Sequence, residues 1–164
     1  MDTLKKIALF LVFLAVQTLV LNHVHLFGFI IPLLHVYFVV LFQRNYPRWA
    51  LLLWAFALGL GVDIFSNTPG VGAASLTLTA LLQPYLLSLF VSQDAAEDLQ
   101  PSVKTLGVVK YVYFVSILTT LFVLTYFTLE FFSFVNWMWW LATVVGSTVL
   151  TVVLIIVIEN VRRK

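Results

Sequence analysis

Residues 50–72 read ALLLWAFALGLGVDIFSNTPGVG, and this stretch decides the fold. An apolar run from Ala50 to Val62 ends on a lone acid, Asp63. Ile64 and Phe65 then lead into the polar turn Ser66-Asn67-Thr68-Pro69-Gly70, and a second long apolar run follows. Two such runs joined by so short a turn predict a hairpin of membrane helices. A carboxylate at the edge of a hydrocarbon-buried helix costs free energy unless a partner or water meets it. Asp63, flanked by glycines and a Pro-Gly turn, therefore marks a specific packed corner.

The rest of the chain agrees with a membrane setting. Of its 164 residues, 62% are hydrophobic and 10% charged, and the mean hydropathy is +1.07. A water-soluble domain of this length could not hide so much apolar surface, so most of it must face lipid or other membrane helices. There is no Cys, which removes disulfides, thiol nucleophiles and Cys-based metal sites. No Ser stands with a His base in one predicted layer, and no intramembrane acids are paired. Metal-ligand spacing and a Gly-rich phosphate loop are also missing. No catalytic residue, cofactor, metal ion or nucleic-acid partner is expected.

Six apolar segments predict six transmembrane helices in one domain spanning residues 1–164. They are Ile7–Leu21, Ile30–Phe42, Trp49–Phe65, Val71–Val91, Leu106–Leu129 and Val135–Ile158. The first follows Lys5 and Lys6 as a signal peptide would. No small-x-small cleavage site follows it, however, so it is read as an uncleaved span, with a cleaved signal as the alternative. All basic residues fall in alternate connections: Lys5 and Lys6, Arg44 and Arg48, Lys104 and Lys110, then Arg162, Arg163 and Lys164. Positive residues stay on the cytoplasmic side, which places both termini there. Ser92–Val103, with Asp94, Glu97 and Asp98, is read as a solvated loop with a short helical turn.

Span three repeats small residues at helical spacing, Ala55 and Gly59 on one face, Ala57 and Gly61 on another. Small-x-x-x-small allows close approach of two membrane helices. Asp63 continues the Ala55–Gly59 face, so its carboxylate points at whatever packs there. Two roles compete for it. In the structural one, Asn67 or Thr68 caps span four, Pro69 fits its first turn, and nearby N–H groups bind Asp63. In the functional one, Asp63 holds a ligand, proton or partner at the outer surface, in a polar cluster with His35 and Asn67. His23 and His25 share no helical face, which argues against a metal site. Gln83-Pro84 predicts a kink in span four, with a freed carbonyl as a minority route to a polar pocket. Glu159, three and four residues before Arg162 and Arg163, is read as a surface ion pair. Trp137, Trp139 and Trp140, with Tyr46 and Trp49 at the other boundary, are read as interfacial anchors.

From Pro32 to Tyr85 the order is an early proline, a short second span, Gly59-x-Gly61-Val62-Asp63, a short turn, Gly70-x-Gly72 and a long fourth span. That order resembles the bacterial rod shape-determining protein MreD family. Length, span number and tiny outer loops agree along the whole chain. The resemblance implies an all-α membrane protein, a compact bundle of six transmembrane helices similar to the substrate-binding subunits of energy-coupling-factor transporters. It implies a non-enzymatic scaffold in the bacterial inner (cytoplasmic) membrane, serving cell elongation and lateral peptidoglycan synthesis. The implied partners are an MreC-like bitopic protein, MreB filaments, and the peptidoglycan transpeptidase and glycosyltransferase. The surface expected to carry packing or partner contacts is Ala55, Gly59, Gly61, Asp63, Gly70 and Gly72.

The alternative is a substrate-binding subunit of an energy-coupling-factor vitamin transporter. Those subunits dock through small residues in the first span, where this chain has only Ala8 and Ala15, seven apart. An outward pocket built by His35, Asp63, Asn67 and Asn136 stays open on that alternative. A third class, binding of a lipid or polyprenyl carrier, is compatible with the apolar bulk.

Overall fold

The computed structural model describes residues 3–20, 32–44, 46–67, 69–95, 99, 101–131 and 137–163, and among them no strand occurs. The helices are α1 (Thr3–Leu19), α2 (Val36–Val40), α3 (Arg48–Ser66), α4 (Val71–Phe90), α5 (Val103–Leu106), α6 (Val108–Phe131) and α7 (Trp137–Arg163). Four of them, α3, α4, α6 and α7, are long and apolar enough to cross a membrane. The exterior is apolar as well: Leu53 on α3, Leu89 on α4, and Val149 and Val153 on α7 are all exposed. Helices apolar on both inner and outer faces belong in lipid, so the chain is a multi-pass membrane protein. The expected third and fourth segments become α3 and α4 within a residue at each end. The fifth is divided at Gly107, which separates α5 from α6, and the sixth runs on to Arg163.

α3 packs on α4, α4 on α6 and α6 on α7, while α1 lies against α3. The buried face of α6, carrying Tyr111, Phe114, Leu118 and Phe122, follows the three-to-four-residue helical spacing. At 17 residues α1 is about 26 Å long, a little under the ~30 Å hydrocarbon core.

The second expected span takes an unexpected form. Among the described residues its α-helix covers only Val36–Val40, about 8 Å. Ile30 and Ile31, its expected start, lie outside the described residues. From Leu33 to Phe42 every residue is buried, enclosed by α1, α3, α4 and α6, so no side of the segment faces lipid.

So short a helix leaves backbone groups unpaired at both ends, and at membrane depth each must find a partner. Three side chains from three helices supply them. The Gln17 amide donates to the Pro32 carbonyl at 3.0 Å. The Leu33 N–H donates to Thr151 Oγ1 at 3.1 Å. The Gln83 amide donates to the Phe42 carbonyl at 3.2 Å. Gln83 is therefore an end-cap for α2, and α4 remains one helix through Pro84.

The basic residues gather at one end of the bundle. Lys6 stands 3.9 Å over the Tyr46 ring. Arg44 donates to the carbonyls of Ser92 and Ala95, and Arg48 to the Tyr85 hydroxyl at 2.8 Å. Arg162 meets Glu159, which also accepts from the Val103 N–H. Through Arg44 the Ser92–Val103 loop is tied to the body of the bundle; its Glu97 and Asp98 lie outside the described residues.

Candidate functional site

At the end of α3 away from the basic residues, Asp63 is 2% exposed. The N–H of Gly72 donates to its Oδ1 at 2.7 Å, and the N–H of Ala73 donates to its Oδ2 at 2.9 Å. These are two of the orphan donors in the first turn of α4, so the acid of one helix caps the next, where the positive end of the helix dipole also favours it. The glycines make this geometry reachable. A Cβ on Gly59 would lie 2.6 Å from both the Ala73 Cα and the Gly72 carbonyl oxygen. A Cβ on Gly72 would lie 2.6 Å from Asp63 Oδ1 itself. Gly70, with φ +83°, turns the chain in the left-handed region where a side chain would be strained. Ala55 is buried on the same face of α3 as Gly59. Gly61 points elsewhere, onto Leu14 of α1.

Other expected features of this corner are placed differently. Asn67 does not cap α4: it ends α3 in the left-handed conformation, its N–H donating to the Asp63 carbonyl. Pro69 precedes the start of α4 instead of filling its first turn, because Gly70 is the residue that enters the helix. Thr68 lies outside the described residues.

His35 does not join Asp63. It is fully buried, with its ring edge-on to Phe122 at 5.0 Å. Neither of its nitrogens has a hydrogen-bond partner among the described residues, while both Asp63 oxygens accept from α4. The outer cluster of His35, Asp63 and Asn67 is thus not assembled: α2 is held in the centre of the bundle, and α4 fills the space beside Asp63. Asn136, His23 and His25 lie outside the described residues.

A second buried acid occupies the basic end. Glu159, read from sequence as half of a surface pair, is 3% exposed. The Tyr37 hydroxyl donates to its Oε2 at 2.6 Å, and the Val103 N–H donates to its Oε1 at 3.5 Å. Arg162 Nη1 lies 3.6 Å from Oε2 and donates to the Tyr37 oxygen at 3.4 Å. The signal for this burial was present in α7. Thr143, Ser147, Thr151, Ile155 and Glu159 recur every four residues and are all buried. The inward stripe of a membrane helix can be its more polar one.

Beside this cluster a groove of about 1020 Å³ runs between α1 and α7. Ala8, Leu9, Val12, Phe13 and Val16 of α1 form one wall, and Val157, Ile158 and Val161 of α7 the other. Leu34, Tyr37 and Leu41 make the floor, and the two charged residues on it, Lys5 and Arg162, stand at the basic end.

No group of His and acidic residues suited to a metal ion occurs among the described residues. What the arrangement offers chemically is a fixed interhelical corner at one end and an apolar, cation-tipped groove at the other. Compared with known protein families, curated proteins and solved structures, the chain matches none.

Proposed function

We propose that this chain is a six-span, non-enzymatic scaffold of the bacterial inner membrane, of the MreD kind, serving cell elongation and lateral peptidoglycan synthesis. The observation that supports it is the α3–α4 corner. Of the residues on which the resemblance rests, Gly59, Asp63 and Gly72 meet one another there, and Gly70 supplies the left-handed turn that leads into α4. A pattern that reads as a family signature is thereby given a physical purpose, the rigid joining of two helices.

In this proposal α1 and the buried segment around α2 complete the six spans. The basic end is cytoplasmic, which puts both termini on that side. Gly59 and Gly72 are consumed inside the chain, so they are not the surface a partner touches, while Gly70 is exposed in the turn. The lipid-facing ridge of α3, with Leu53, Phe56, Leu60 and Ile64 exposed, is offered instead to the helix of an MreC-like bitopic protein or of a wall synthase. The corner acts on partners only indirectly, by holding that ridge in place.

The test is gentle solubilisation of tagged full-length protein from its native membrane, with mass spectrometry of what copurifies. Recovery of an MreC-like protein and wall synthases is expected, and their loss in Phe56→Ala/Leu60→Ala at normal protein level. Paired ATPases with a coupling membrane subunit would overturn the proposal in favour of vitamin uptake.

A further inference from the structure

A groove that is apolar along its length and cationic at one end matches the chemistry of a membrane lipid with an acidic headgroup. We propose that the groove between α1 and α7 binds one chain of an anionic phospholipid, whose phosphate is held between Lys5 and Arg162. This assignment does not depend on the scaffold proposal; it concerns the groove alone.

The groove has the depth of one leaflet. From Lys5 to Val16, α1 advances about 16 Å, and half of the ~30 Å hydrocarbon core is ~15 Å. Beyond Val16 polar ties bring both flanking helices onto the segment that leads into α2: Gln17 bonds Pro32, and Thr151 bonds Leu33. The α1 wall therefore runs from one membrane face to about the midplane, and the α7 wall, Val157 to Arg162, faces about 8 Å of it nearest the basic end. A partner helix crossing the whole bilayer would need about twice the length of the α1 wall. An acyl chain of the same leaflet needs no more.

The charges fit an anion. The Arg162 side chain is 44% exposed, and its contacts with Glu159 and Tyr37 both run through Nη1. A guanidinium has five donors in a planar fork, so N–H groups remain for phosphate oxygens. The Glu159 carboxylate stands behind Arg162, buried and bonded to Tyr37 and the Val103 N–H. Lys6 is turned away over the Tyr46 ring, whereas Lys5 is exposed at the groove. Among the described residues Lys5 and Arg162 face one carboxylate, Glu159, so the mouth is net positive, which favours an acidic headgroup over a zwitterionic one.

The experiment uses the purified full-length chain in phosphatidylglycerol–phosphatidylcholine mixtures, with native mass spectrometry counting the lipids retained. One phosphatidylglycerol per chain is expected to stay bound in preference to phosphatidylcholine. Lys5→Gln should lower that preference about five-fold, the worth of one surface charge near an acidic headgroup. Ala8→Phe, which fills the groove, should abolish retention, while Leu89→Phe on the exposed face of α4, away from the groove, should leave it unchanged. A photoreactive phosphatidylglycerol should label Val12 and Val161 in the unaltered protein, so the proposal stays testable even if Ala8→Phe fails to fold. Equal retention of the two lipids, or retention untouched by Ala8→Phe in well-folded protein, would overturn it. So would recovery from native membrane of a polyprenyl phosphate or a partner's helix cross-linked in the groove in place of phospholipid.

Discussion

At one end of the bundle Asp63 gives both oxygens to backbone N–H groups of α4; at the other, Glu159 gives its oxygens to a tyrosine hydroxyl, an arginine and one long N–H contact. Both acids are buried, yet their partners differ in mobility. The N–H groups of Gly72 and Ala73 are fixed by the helix they begin, and Gly59 lies flush against them. The partners of Glu159 include the half-exposed Arg162, beside an open groove. A carboxylate held by backbone fixes the relative position of two helices. One held mainly by side chains at a groove mouth can be rearranged without moving a helix. The first is a structural joint, and the second is a place where something can bind.

This contrast is broken most severely at Gly59. Gly59→Leu places a side chain where even a Cβ meets backbone at 2.6 Å, with no flexible neighbour to yield. Forced overpacking typically costs 1–3 kcal/mol, and rigid backbone on the other side puts this case at about 3 kcal/mol or above. The expected outcome is collapse of the monodisperse yield in mild detergent. A normal yield and thermal midpoint would show that α3 and α4 can separate freely.

Next in size are Asp63 and Gly72. Asp63→Ala leaves two buried donors unpaired, at a cost of about 3 kcal/mol, and Asp63→Asn should lose about half of that because one acceptor remains. Gly72→Ala should displace the same carboxylate and cost a similar amount. Because the two changes destroy one interaction, the double variant should be far less than additive, which thermal midpoints of the four proteins will measure. Additive losses would mean that Gly72 and Asp63 serve separate purposes.

The α3–α4 hairpin could be read in the sequence because its causes are local: an apolar run, an acid, a Pro-Gly turn, and glycines at helical spacing. The direction of Asp63 toward a packed neighbour also followed from its place on the Ala55–Gly59 face. That N–H groups near the start of span four meet it was legible too. The assignment of the span-four cap to Asn67 or Thr68, caps by residue type, was not, because the place of Asp63 across the turn depends on how two helices pack. α2 was legible as apolar but not as wholly buried, because hydropathy treats lipid and protein interior alike. The shared task of Gln17, Gln83 and Thr151, satisfying the two ends of one short helix, has no local signal because it exists only in three dimensions. The four-residue stripe from Thr143 to Glu159 was readable, but the nearby arginines suggested a surface pair.

The Glu159 end should respond more mildly. Tyr37→Phe removes the 2.6 Å donor, and Glu159→Gln removes the charge while leaving an acceptor, so about 1–2 kcal/mol is expected for each. Tyr37 and Arg162 line the groove, so water there can replace a lost partner of Glu159, whereas the partners of Asp63 lie within the α3–α4 contact. A loss for Glu159→Gln as large as that for Asp63→Ala would erase the distinction between joint and binding place.

His35 supplies the smallest effect and a change of sign. It is as deeply buried as either acid, but among the described residues its two ring nitrogens have no hydrogen-bond partner. An unpaired buried polar group lowers stability, and an apolar residue of similar size removes that cost. His35→Leu should therefore be neutral or raise stability by about 1 kcal/mol, losing the edge contact with Phe122 but also the unmet donor and acceptor. A distinct drop in thermal midpoint would instead mean that the imidazole is used, by a bound water or a proton. The centre of the bundle would then be a place where this protein does more than hold its own helices together.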